Sequence, residues 1–385
     1  MRIHFYLFIV LLSSLVVSCA SPRNDPPVAE PLDTTEVERQ IDAAFGTVER
    51  NEKGVIVDVD LARERASAND EVLRAALSLP NLKRFRFAGG SVAAESLAGL
   101  KTQRELEELY LQDVPIRDGD WKPLLACLPK LTRLTLRRLA NLSADELGAL
   151  PQRLPTLRNL SLIEMEITGE SLAEIAKSEF LTSLDVRNCG RLAAEDYRSL
   201  ASLKKLTDLK IGGFAVNDEV LAVIAPLPSL RGLTIDDALL TPDGFEKFVT
   251  ESLSADKLET LILGRNMSLF DAALVPLTRL PKLKRLTING MMVTGSFLDN
   301  LAENETTRPK LQRLSLRKAF LTEEGAAALK KYSELRSLDL SGVALTPELV
   351  DIIGSLDWLE ELDLTGCQLG EDLLQRLQTV KRLIR

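Results

Sequence analysis

The chain has 385 residues, a formal charge of −8, and a composition that is 45% hydrophobic and 27% charged but only 5% aromatic. This describes a soluble globular chain with a mostly aliphatic core, and its acidity argues against nucleic acid as a partner, since phosphate binding needs a basic footprint. The one histidine is His4, so a chain that has lost its first residues has no Ser-His-Asp or Cys-His set and lacks the commonest transition-metal ligand.

Residues 1–18 are predicted to be a signal peptide. Arg2 precedes the apolar run IHFYLFIVLLSSLVV, and Ser18, Cys19 and Ala20 follow it. The run falls short of the ~20 residues that span a bilayer, so removal is expected rather than a permanent transmembrane helix. Val16, Val17, Ser18 and Cys19 resemble a bacterial lipobox, which implies lipid attachment, palmitate included, at Cys19. An ordinary signal peptide that contains a cysteine is the alternative. Residues 19–34, with Pro22, Pro26, Pro27 and Pro31, read as a solvated tether.

Residues 35–54 are assigned to an N-terminal cap. Within them, 35–48 are predicted to be one amphipathic helix, with Val37, Ile41, Ala44, Phe45 and Val48 on its apolar face. Its task is to cover the open edge of the strand that begins at Ile56.

Residues 55–369 are a repeat. In the stretch LRSLDLSGVALTPELVDIIGSLDW, residues 335–358, Leu335, Leu338 and Leu340 follow the spacing LxxLxL. In a strand, Leu338 and Leu340 share one face and Asp339 takes the other. Thr346 and Pro347 then suit the start of a helix. Thirteen such units begin at Ile56, Leu82, Leu106, Leu131, Leu157, Leu181, Leu206, Leu230, Leu258, Leu283, Leu311, Leu335 and Leu359, spaced by 24 to 28 residues. A strand that returns through one short helix cannot bury its own apolar edge, so the units must stack on each other. LPxL sequences ending at Leu82, Leu131, Leu157, Leu230 and Leu283 convert helix to strand, because proline ends the helix and extends the residue before it. The two longest spacings put extra residues near 250–256 and 304–308, which are expected to lengthen convex loops. Residues 370–385 are predicted to close the stack as a C-terminal helix, although Leu383 sits where a fourteenth strand would begin.

These motifs resemble the leucine-rich repeat superfamily from Ile56 to the C-terminus. The resemblance implies an α/β solenoid, a horseshoe with a parallel concave sheet and short convex helices. The opening GVIVDVDL, residues 54–61, is similar to the first unit of repeat lipoproteins of environmental bacteria. Three residues beyond LxxLxL the family often has Asn or Cys. Here that position holds Cys189, Asn266 and Cys367 but elsewhere residues such as Val114, Leu139, Phe214 and Met291. An asparagine ladder is therefore not expected, and the turn is expected to be held by apolar packing, as in the cysteine-containing or ribonuclease-inhibitor-like subclasses.

No catalytic residue, metal site or cofactor is expected. Cys189 and Cys367 are seven units apart, ~30 Å or more at ~4.8 Å per strand, far beyond the ~7 Å limit for a disulfide. With Cys127 they are expected to be buried free thiols. The pairs Asp236 with Asp237 and Glu360 with Glu361 are expected to be solvated surface, and Gly212, Gly213, Gly264 and Gly290 lack any phosphate-cradling spacing.

The middle residue of each LxL should form one outward column on the concave sheet. Near its first end, Arg84, Arg86, Tyr110, Arg133 and Arg137 are the candidate partner-binding residues, because Arg and Tyr are enriched at binding hot spots. Arg285, Arg313 and Arg317 follow later, and Asp339, Glu361 and Asp363 make an acidic end. A merely solvated sheet face is the alternative. The expectation is a lipid-anchored repeat protein of the bacterial cell envelope, in the periplasm or at the surface, binding an unidentified protein or envelope polymer. The alternatives are an architectural or adhesive envelope protein and an accessory subunit of an envelope enzyme.

Overall fold

A large apolar residue, mostly leucine, at three fixed places in every unit leaves one economical way of taking those side chains out of water, which is to lay each strand beside the last. The computed structural model describes residues 34–89, 91–303, 310–377 and 380–384, and among these fifteen strands form one sheet in chain order. They are β1 (Thr47–Arg50), β2 (Ile56–Leu61), β3 (Arg84–Ala88), β4 (Glu108–Gln112), β5 (Arg133–Arg137), β6 (Asn159–Ile163), β7 (Ser183–Asp185) and β8 (Asp208–Gly212). The rest are β9 (Gly232–Asp236), β10 (Thr260–Gly264), β11 (Arg285–Asn289), β12 (Arg313–Arg317), β13 (Ser337–Asp339), β14 (Glu361–Asp363) and β15 (Arg382–Ile384). From β2 onward every pairing is parallel. The thirteen repeat strands β2 to β14 are those of the LxxLxL pattern, and the fold is a leucine-rich repeat solenoid.

The alternation within a strand decides what is buried. Leu338 and Leu340 are fully buried while Asp339 between them is half-exposed. Each such leucine removed from water contributes roughly 1.5–3 kcal/mol. The return helices start where the sequence supplies an acceptor. The Thr346 hydroxyl accepts from Leu349 N at 3.2 Å with Pro347 in the first turn, and Asn69, Ser143, Thr168, Asn217, Thr241 and Thr322 cap in the same manner.

Both ends differ from expectation. The first helix covers only Thr34–Ala43, because Phe45 takes a left-handed φ of 58° and points to solvent. Gly46 follows against Leu61 and Ile41, where a Cβ would lie 2.5 Å from Leu61 Cδ2. The chain can therefore double back as β1, antiparallel to β2 with Thr47 opposite Asp60 and Glu49 opposite Asp58. At the other end the helix is just Glu371–Gln375, and β15 then pairs with β14, placing Leu383 opposite Leu362. The acidic-to-basic gradient that suggested a single helix is divided between a helix and a strand.

The turn after the strand is also more polar than expected. Asn266 is buried, donates Nδ2 to Ile235 O at 3.0 Å and accepts from Ala238 N at 3.1 Å. At the same position the thiols of Cys189 and Cys367 donate to Leu162 O at 3.0 Å and Leu340 O at 3.2 Å. Three turns are thus tied to the preceding strand by a side-chain donor. All three described cysteines are free, but only Cys189 is buried; Cys127 and Cys367 are half-buried.

The extra residues near 250–256 do more than lengthen a loop. The buried Ser254 hydroxyl donates to Leu227 O and accepts from Leu230 N at 3.0 Å, filling in for the hydrogen bonds that the LPSL turn leaves open. Gln103 does the same for LPNL, donating to Leu77 O and Leu79 O at 2.9 Å each. Residues 304–309 lie outside the described residues, and so do residues 1–33, on which the expected signal peptide, Cys19 and all of the expected tether but Thr34 fall. No helix among the described residues is long and apolar enough to cross a membrane.

Candidate functional site

Strict register carries one column of side chains along the whole concave sheet. Asp60, Arg86, Tyr110, Thr135, Ser161, Asp185, Lys210, Thr234, Ile262, Thr287, Ser315, Asp339 and Asp363 stand opposite one another strand by strand. A second column, one pleat earlier, runs from Asp58 through Arg84, Glu108 and Arg133 to Arg285, Arg313 and Glu361.

The five residues singled out near the first end are brought together on β3, β4 and β5, but not as an open basic patch. Arg84 pairs with Asp58 and with Glu49 at 2.5 Å. Arg133 Nη1 reaches Glu108 Oε2 at 2.8 Å, and Arg137 donates to Glu164 Oε1 at 2.6 and 3.0 Å. The Arg86 guanidinium stacks 4.8 Å from the Tyr110 ring centroid, and its Nε lies 3.6 Å from Asp60 Oδ2. Tyr110 Oη in turn donates to Gln112 Oε1 at 2.5 Å. Burial pushes the Asp58 carboxyl up against the opposing hydrogen bond from Arg84, while that same bond raises Arg84. Each arginine here has a carboxylate from a neighbouring unit, so the cluster is close to neutral.

The acidic end is likewise committed. Asp339 Oδ1 accepts from Ser341 N at 2.9 Å and from its hydroxyl at 2.5 Å, and Oδ2 accepts from Ser315 Oγ at 3.0 Å. Asp363 accepts from Thr365 N at 2.9 Å, Asp60 from Ala62 N at 2.9 Å, and Asp185 from Arg187 N at 3.2 Å. An aspartate in the middle of LxL therefore folds over the strand exit and holds the amide two residues on. The pair Asp236 and Asp237 is not simply solvated either, since Arg265 bridges both at 2.9 and 2.6 Å.

Arg285 and Arg313 differ. They are adjacent and exposed on β11 and β12, and among the described residues neither has an ion pair or hydrogen-bond partner. Thr287 and Ser315, half-exposed, stand two residues further along the same strands, while Arg317 leans 3.5 Å from Asp339. Among the described residues, the arginines of the concave sheet left open are thus on the second arginine row, and Lys210 in the first column is likewise without an ion pair. No local motif marks the distinction, because the neutralising partners of the first row come from other repeats.

A surface pocket of about 450 Å³ at the turns after β7 and β8 is lined by Asn188, Cys189, Gly212, Gly213, Phe214 and Asp237. Burial pushes the Cys189 thiol up to about 12, so near neutral pH it is a hydrogen-bond donor rather than a thiolate nucleophile. Among the described residues no group of three His, Cys, Asp or Glu side chains is placed to hold a metal ion.

No family model matches the chain. The Caenorhabditis elegans protein named "Putative RNA-binding protein EEED8.10" is 26% identical over 263 residues, which are 65% of this chain and 35% of that protein. The chain spans about a third of the length of this curated relative. Among solved structures, a chain of the Rad7 and Elc1 complex of yeast has a TM-score of 0.55 at 17% identity, covering 82% of this chain and 78% of that one. An internalin of Listeria monocytogenes has a TM-score of 0.46 at 18% identity, covering 90% and 94%. A chain of the TLR13–ssRNA13 complex has a TM-score of 0.47 at 19% identity, covering 81% and 54%. At such identities the likeness to these structures is one of fold. The relative's name corrects one expectation: the exclusion of nucleic acid on grounds of net acidity does not stand. Net charge averages over the whole surface, whereas a binding surface is local, as Arg285 and Arg313 illustrate.

Proposed function

We propose that the chain is a binding module whose concave sheet takes up a macromolecular partner, with an anionic group of that partner over Arg285 and Arg313. The observation that carries this is the pairing of two exposed guanidiniums on adjacent strands without a carboxylate, on a sheet whose other concave arginines of the first cluster are already bonded. Like charges directly opposite on neighbouring strands oppose folding, and an incoming carboxylate or phosphate relieves that repulsion while gaining charge-assisted hydrogen bonds. A protein partner is the first reading, because stacked repeats build an extended concave surface suited to one.

The second reading is RNA, favoured by the name of the Caenorhabditis elegans relative. Phosphates would meet the same two arginines. The test is fluorescence anisotropy of the full chain with a labelled single-stranded RNA, beside capture of proteins by the same chain. Arg285→Glu with Arg313→Glu should abolish whichever interaction is real, and Arg84→Glu with Arg133→Glu should leave it within a few-fold. RNA held through two phosphates should show a log–log salt slope near −1.4. Loss of binding in the first-cluster variant alone would refute the placement.

We further propose that Cys19 carries a lipid that ties the module to a membrane of the bacterial envelope. The support is the lipobox-like sequence directly after the apolar run. Cys19→Ser should stop incorporation of labelled fatty acid, and persistent labelling would refute it.

A further inference from the structure

In a chain with 56 acids against 48 lysines and arginines, β11 and β12 with the turns on either side of them hold no acid. Residues 281–293 contribute Lys282, Lys284 and Arg285, and residues 310–321 contribute Lys310, Arg313, Arg317 and Lys318. Parallel pairing in register lays these side chains in one band that crosses the sheet along the strand direction, from the turns entering the strands to the turns leaving them. Carboxylates of the flanking units meet its margins: Glu259 lies 3.4 Å from Lys284, Glu334 3.6 Å from Lys310 and Asp339 3.5 Å from Arg317. Lys282, Arg285, Arg313 and Lys318 are exposed and have no ion pair among the described residues. Thr287 and Asn289, half-exposed on the concave side of β11, likewise have side chains without a hydrogen-bond partner among the described residues.

The spacing within the band describes its ligand. Arg285 and Arg313 are register partners, so both guanidiniums can meet one anion. Arg317, the register partner of Asn289, stands four residues further along the strand, ~13 Å at ~3.3 Å per residue. Two residues of an extended chain that are four apart share a face and are separated by the same ~13 Å. We propose that β11 and β12 bind an extended acidic segment of a partner protein lying along the strands. One of its carboxylates sits over Arg285 and Arg313, and a second, four residues away, over Arg317. Between them the Thr287 hydroxyl and the Asn289 amide face the segment's backbone, and an amide offers both the donor and the acceptor that a peptide unit needs. Arg317 can turn from Asp339 without stranding it, because Asp339 keeps its bonds to Ser341 and Ser315. Lys282 and Lys318 extend the positive charge beyond both ends, which steers an acidic chain onto the band. Nucleic acid is served less well, since no concave side chain of either strand is aromatic and bases find no stacking platform there. This rests on the reading of Arg285 and Arg313 as an anion site, and adds to it the ligand's class and spacing.

The test is titration of the purified full chain, in mild detergent at low ionic strength, with peptides of threonine and valine that carry two glutamates and an uncharged dye. Glutamates four apart share a face of an extended chain, and glutamates three apart do not. At equal charge the first peptide should bind about fivefold more tightly, as for one exposed ion pair gained. Arg317→Gln should remove that difference and leave the weaker binding in place. Arg285→Gln with Arg313→Gln should abolish binding of both peptides, with circular dichroism unchanged. Equal binding of the two peptides to the wild type would overturn the proposal by showing diffuse charge attraction alone. Binding of single-stranded RNA but of neither peptide, lost in the double glutamine variant, would overturn the acidic segment and leave the anion site standing. Failure of both probes would also overturn the acidic segment, and failure of protein capture besides would take the anion site with it.

Discussion

Arg285 and Arg313 face each other across the β11–β12 ladder with no carboxylate bonded to either among the described residues. A protein selected only for stability would place an acid at one of the two positions, as it has at Glu108 beside Arg133. Arg313→Glu should therefore raise the urea midpoint, by the ~0.2–1 kcal/mol that separates opposite from like charges on adjacent strands. The same variant should lose the partner. A lower midpoint would mean that the arginines are already compensated within the fold.

The Asn266 side chain satisfies one buried carbonyl and one buried amide of the preceding unit. Asn266→Leu leaves both without a partner and should cost about 1–3 kcal/mol. Asn266→Cys should cost less, since the thiols at Cys189 and Cys367 make the donor half of the contact. Chemical denaturation of the two variants tests the order; equal losses would contradict it.

Leu338 and Asp339 are adjacent in the chain yet belong to different environments. Leu338→Asp puts a carboxylate where Leu338 is fully buried and should be severely destabilising, on the order of 4 kcal/mol or more. Asp339→Leu, which strand alternation alone would suggest is neutral, should still cost about 1–2 kcal/mol, because Ser341 N and Ser315 Oγ lose their acceptor. A neutral result would show that the strand-exit turn holds without the side chain.

Hydrogen bonds from Arg138 and Arg265 hold the Asp113 and Asp237 carboxyls below the usual aspartate range. A carboxylate with a depressed folded pKa adds stability that is complete above its unfolded value, near 4, and is lost as pH falls through the folded value. The urea midpoint should accordingly stay level from neutral pH to about 5 and drop below about 4. Asp113→Asn and Asp237→Asn should start lower at neutral pH and drop less. Asp58, raised by burial, acts in the opposite direction and should blunt the wild-type drop.

The strands were legible because LxxLxL combines a period-two alternation with a fixed return length, and the column from Asp60 to Asp363 has the register that spacing implies. The state of each arginine was not legible. Arg137 finds Glu164 across 27 positions of sequence, and Arg138 finds Asp113 across 25. Such a partner becomes visible only when the units are stacked. Phe45 misled because its helical spacing was right, while Gly46 behind it allowed a reversal that periodicity does not register. The strand-exit aspartates did leave a trace: a hydroxyl or amide two residues on, as in Asp339 with Ser341 and Asp363 with Thr365.

Five side-chain donors tie a turn of their own unit back to the one before it. Asn266, Cys189 and Cys367 each reach a carbonyl of the unit before their own, and so do Gln103 and Ser254. During synthesis, where N-terminal parts emerge and fold first, a repeat that has left the ribosome still lacks its closing donor until the next one emerges, 24 to 28 residues later. Completion of the native array should therefore trail translation by one repeat. A ribosome stalled anywhere in the array would leave its last emerged unit open, while those behind it are already sealed.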